Sequence, residues 1–97
     1  MSRPTLEVLR DQIHQAALVL LEAGAKEVYL FGSAAAETMR EGSDVDFAVA
    51  GLPPAVFFPA MGKVGDILAT PFDLIDLDED TPFVHYLKEE QELVRIA

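Results

Sequence analysis

A glycine and a serine, Gly32-Ser33, close an apolar run, and after ten intervening residues two aspartates follow as Asp44-Val45-Asp46. A third aspartate, Asp73, stands at the start of another apolar run, Phe72-Asp-Leu-Ile-Asp-Leu77. On a β-strand, residues two apart share a face and lie about 6–7 Å from each other along the chain. Two ionised carboxylates held that close repel, and one prefers to be protonated unless a cation sits between them. Carboxylate oxygens are the natural ligands of Mg²⁺, and three of them from neighbouring strands would line a site for it. A Gly-Ser turn between a strand and a helix offers backbone N–H groups and a hydroxyl to an anion. Phosphoryl or nucleotidyl transfer needs that pair of features, a phosphate-binding turn beside a divalent metal. Each also has an ordinary structural use: Ser43-Asp44 suits a turn cap, and a hydrated strand edge tolerates both carboxylates.

The elements that must position these residues are legible from periodicity. Between Thr5 and Ala23, Leu6, Leu9, Ile13, Ala16, Ala17 and Leu20 recur at three- and four-residue intervals, which predicts an amphipathic helix with Pro4 in its first turn and Gly24 as its stop. Glu27 to Phe31 reads as a buried strand, and Ser33 to Arg40 as about two turns of helix. Asp44 to Ala50 reads as a second strand, with Val45, Phe47 and Val49 on one face and Asp44, Asp46 and Ala48 on the other. A helix is expected within residues 55–69, although Pro59, Gly62 and Gly65 weaken it. Phe72 to Leu77 is a third strand, residues 82–90 a helix and Leu93 to Ile96 a last strand. Strands alternating with helices predict an α/β domain spanning 1–97, a mixed sheet flanked by helices, with the relative direction of the first two strands left open.

Composition narrows the function. Seven Lys and Arg against seventeen Asp and Glu give a formal net charge of −10. Such a chain repels phosphate backbones, which argues against direct nucleic-acid binding and is compatible with a basic protein partner, and a phosphorylated ligand needs metal ions or backbone N–H groups to hold it. The apolar runs are too short to span a membrane, there is no signal-peptide layout, and the chain has no cysteine, so a cytoplasmic location is the expectation.

The pattern Phe31-Gly32-Ser33, Ala35, then Ser43-Asp44-Val45-Asp46-Phe47 resembles the signature of the DNA polymerase β-like nucleotidyltransferases, and most of all the minimal nucleotidyltransferases (MNT), which are about this length. The resemblance covers essentially the whole chain and implies the polymerase β-like nucleotidyltransferase fold. It also implies that Asp44 and Asp46 ligate two Mg²⁺ ions, and that Asp73 completes the site and orients or deprotonates an acceptor hydroxyl. Gly32 and Ser33 would bind the β- and γ-phosphates of a nucleoside triphosphate. Asp76 competes for the third carboxylate position, but three residues along a strand it faces the other way. In the resembled family a helical HEPN-type partner is the toxin, and the MNT member is an antitoxin that modifies it with AMP. Ala34 and Ala36 replace the family's basic residues and Glu37 its glycine, while Arg40 stays within the same stretch. That departure favours the alternative of a weak or inactive relative acting as a protein-binding module. A small-molecule nucleotidyltransferase would ordinarily need a longer chain.

Other residues invite an ordinary reading. His14 and His85 lack metal-ligand spacing, Asp76 to Asp80 reads as a solvated turn capping the next helix, and Phe57 and Phe58 read as core aromatics. Tyr29 alternates with buried strand positions and carries no functional signal of its own.

Overall fold

The computed structural model describes residues 5–32, 44–90 and 93–97. The first helix, α1 (Leu6–Ala23), starts where Thr5 accepts the backbone N–H of Val8 on its hydroxyl at 3.2 Å, satisfying one of the otherwise unpaired donors of the first turn. It stops at Gly24, whose φ of 122° lies outside the range L side chains favour; the Gly24 and Ala25 N–H groups close onto the carbonyls of Leu21 and Leu20. Leu9, Ile13, Ala16, Ala17 and Leu20 form its buried stripe.

Four strands follow in one sheet: β1 (Glu27–Phe31), β2 (Val45–Ala50), β3 (Phe72–Asp76) and β4 (Val94–Arg95), in the order β3-β2-β1-β4. β1 pairs antiparallel with β2, which settles the direction left open by the sequence, and antiparallel with β4. β2 and β3 are parallel, and the crossover between them contains α2 (Pro54–Ile67), as parallel neighbours require. The last helix, α3 (Pro82–Glu90), lies between β3 and β4.

The two faces of the sheet bury different things. Val28, Leu30, Val45, Phe47, Val49 and Leu74 join the stripes of α1 and α2 in the larger core. Phe31 and Ala48 join Leu77, Val84 and Leu87 in a smaller one beneath α3. Two carboxylates fasten the connections at one end of the sheet. Asp78 accepts the Gly51 N–H at 2.7 Å, and Asp76 accepts the Asp78 N–H at 2.9 Å. The acidic run therefore shapes its own turn, and the cap of α3 comes from the next residue, Thr81, which accepts the Val84 N–H. Among the described residues no helix is long and apolar enough to cross a membrane.

Helix α2 is continuous through Pro59 and both glycines. Pro59 sits on the exposed side, where water can satisfy the carbonyl whose helical partner the proline ring removes. Gly65 lies against the Phe72 ring, and a β-carbon there would meet it at 3.6 Å, an ordinary contact. Gly62 faces open space. Gly62→Ala is therefore expected to stabilise the fold by about 0.5–1 kcal/mol through helix propensity alone, raising Tm by a few degrees in a thermal melt.

Candidate active site

β2 carries the aspartate pair. Val45, Phe47 and Val49 are fully buried, so alternation turns Asp46 onto the opposite face, while Asp44 immediately precedes the strand and is exposed. The sheet then brings two neighbours to Asp46. On the parallel side its register partner is Asp73 of β3; on the antiparallel side it is Phe31 of β1. Register partners share a face, so Asp73, Asp46 and Phe31 form a row across three strands, spaced by about 5 Å per strand. Asp73 is exposed and Asp46 half-buried.

Gly32 follows Phe31 and closes the row. Its φ is +66°, and a β-carbon at this position would stand 2.6 Å from Oδ2 of Asp46. Only a glycine lets the backbone turn there with the carboxylate so close. Gly32 and Asp46, at the ends of different strands, are thus close neighbours.

The electrostatics follow from this crowding. Burial pushes the Asp46 carboxyl above the ordinary carboxylate range, and the negative charges of Asp73 and then Asp44 push it further the same way. Carboxylate oxygens are the donors a hard divalent cation takes, and a cation beside Asp46 would relieve the repulsion that it feels. Among the described residues, no three such side chains stand close enough together to enclose an ion. Asp44, Asp46 and Asp73 are neighbours along one face rather than a closed cage.

The other sequence candidates fall elsewhere. Asp76 pairs in register with Val49, on the sheet face opposite to Asp46, and its carboxylate is engaged in the following turn. Ser33, the helix expected over 33–40, and with them Ala34, Ala36, Glu37 and Arg40, lie outside the described residues. His14 is exposed, and His85 pairs locally with Asp80. Phe58 departs from the expectation of a core aromatic: it is 75% exposed, stacked edge-to-face on the half-buried Phe57. Adjacent residues on a helix point about 100° apart, so only one of the two can face the core. In the sequence Phe31 is an apolar strand residue that opens the resembled signature; its place in the aspartate row depends on strand register, which no local pattern announces.

The family model described as polymerase beta, nucleotidyltransferase matches residues 14–95, a span that includes Gly32 and all three aspartates. The chain belongs to this family. As a nucleotidyltransferase it has the family's α/β architecture, and solved structures agree. One, a toxin-antitoxin crystallised with AMP-PNP, is 22% identical with a TM-score of 0.62, over 86% of this chain and 69% of that one. A second, the toxin-antitoxin MntA-HpeT carrying two Asp-to-Glu changes two positions apart, is also 22% identical, with a TM-score of 0.54, over 91% of this chain and 67% of that one. At this identity the likeness is one of fold. A search of curated protein sequences finds no significant match.

The raised pKa of Asp46 makes a prediction about stability. Its ionisation is disfavoured in the folded state, so the fold loses stability as pH rises from the ordinary carboxylate value through the raised one. Asp46→Asn removes that loss. The variant is expected to melt higher than the wild type at neutral pH, with the difference vanishing at pH values below the ordinary carboxylate range. Thermal melts across pH 3–8 check this, and an unchanged difference at every pH would refute the electrostatic cause.

Proposed function

We propose that this nucleotidyltransferase transfers AMP from ATP, with Mg²⁺, to an acceptor hydroxyl on a helical toxin partner of the HEPN type, and so acts as an antitoxin. The observation that carries the reading is the row in which Asp46 stands close to Gly32 on one side and neighbours Asp73 on the other. Asp44, Asp46 and Asp73 would hold two Mg²⁺ ions, which when bound offset the phosphate charge and make the acceptor hydroxyl more acidic. Gly32 and Ser33 would hold the β- and γ-phosphates through backbone N–H groups and the serine hydroxyl.

In this arrangement the two ends of the row have different tasks. At the Asp73 end, the exposed carboxylate orients the acceptor hydroxyl and takes its proton. The acceptor oxygen then forms a bond to the α-phosphorus, and the bond from that phosphorus to the bridging oxygen of the β-phosphate breaks. Pyrophosphate leaves on the Gly32 side. The formal charge of −10 is compatible with a basic protein partner, and the toxin-antitoxin complexes among the structural neighbours support a toxin as that partner.

Incubation with Mg²⁺, labelled ATP and the product of the neighbouring reading frame is expected to label that product. Asp44→Ala and Asp46→Ala should each reduce transfer at least about a hundredfold, the scale on which loss of one charge-stabilising group acts. Gly32→Ala should impair transfer more than it impairs folding: a β-carbon displaces the Asp46 carboxylate, whose short side chain can swing aside. Because Ala34, Ala36 and Glu37 weaken the phosphate turn, a second reading is a binding module that neutralises the partner without chemistry. Partner binding that survives both aspartate substitutions, with no label transferred by the wild type, would establish that reading instead.

A further inference from the structure

Phe83, in the first turn of α3, is 49% exposed, and its ring meets Phe31 edge-to-face at a centroid distance of 6.4 Å. Phe31 itself is 8% exposed, so its own surface is spent on packing. Phe31 is also the register partner of Asp46 and the residue before Gly32. Phe83 is therefore one ring removed from the row Asp73, Asp46, Phe31. It offers a large, partly open aromatic surface next to Phe31.

We infer that Phe83 is the platform on which the nucleobase of the bound nucleoside triphosphate stacks. The inference rests on the nucleotide reading above and names the residue that recognises the base. The triphosphate would lie beside Gly32 and Asp46, both neighbours of Phe31, so the ring packed on Phe31 is within reach of the attached nucleoside. Edge-to-face packing on Phe31 fixes the Phe83 ring in place, so little freedom is lost when a flat base covers it. The sequence gives a reason for the site to rely on such a contact. Ala34 and Ala36 supply no cation to the phosphates, so stacking contributes a larger share of the affinity. The exposed Phe58, on α2, lacks any comparable link to the aspartate row.

Titration calorimetry with Mg²⁺-ATP and with Mg²⁺-tripolyphosphate separates base from phosphate. Phe83→Ala is expected to weaken ATP binding about tenfold and to leave tripolyphosphate binding unchanged, while Phe83→Trp keeps or improves ATP binding. Phe83→Leu preserves apolar packing on Phe31 without an aromatic face and should resemble the alanine variant, which separates stacking from folding. Equal weakening of both ligands, or no change in either, overturns the assignment of Phe83 while leaving the nucleotide reading intact. A wild-type chain that binds neither ligand overturns the nucleotide reading, and this inference with it.

Discussion

The alternation of β2 is the constraint on which the site depends. Val45, Phe47 and Val49 are driven into the core between the sheet and the first two helices, and Asp46 is turned outward as a consequence. A slip of one residue would drive Asp46 into that core and bring the valines out, at the cost of several buried side chains and an unpaired charge. Hydrophobic burial on one face thus holds a set of mutually repelling groups on the other. Neither antiparallel β1 nor parallel β3 could be exchanged without changing what stands beside Asp46.

This division of labour explains why the two faces differ so much in their packing. The larger core, with helices α1 and α2, holds most of the buried apolar side chains among the described residues. Among the described residues the smaller core beneath α3 contains a handful of buried side chains and shares its face with Asp46 and Asp73. A domain of this size has little stability to spare. Keeping the unfavourable electrostatics at one end of one face confines their effect to a few side chains.

Much of this was legible in the sequence, for identifiable reasons. The helix 6–23 announces itself through its stripe, and its glycine stop is visible, though the Thr5 cap was not singled out. The period-two pattern of 45–49 places Asp46 correctly, and the three-residue offset of Asp76 from Asp73 puts it on the other face. What the chain could not reveal locally was pairing. That β1 and β2 run antiparallel, that Asp73 is directly opposite Asp46, and that Gly32 stands close to its carboxylate are all consequences of register between distant segments. The helix expected within 55–69 is present as α2, with Pro59 and Gly62 on its exposed side and Gly65 beside the Phe72 ring. The Phe57-Phe58 pair misled, since two adjacent aromatics cannot both face inward from a helix.

The position of β3 at the margin of the sheet carries one more implication. Among the described residues β3 has β2 on one flank only, and Asp73 is exposed on that marginal strand. A recess of molecular dimensions would admit a drug or a metabolite and shut out anything bulkier. A carboxylate on a marginal strand sets no such limit by the sheet itself, which suits the proposed acceptor, a side chain of a folded partner.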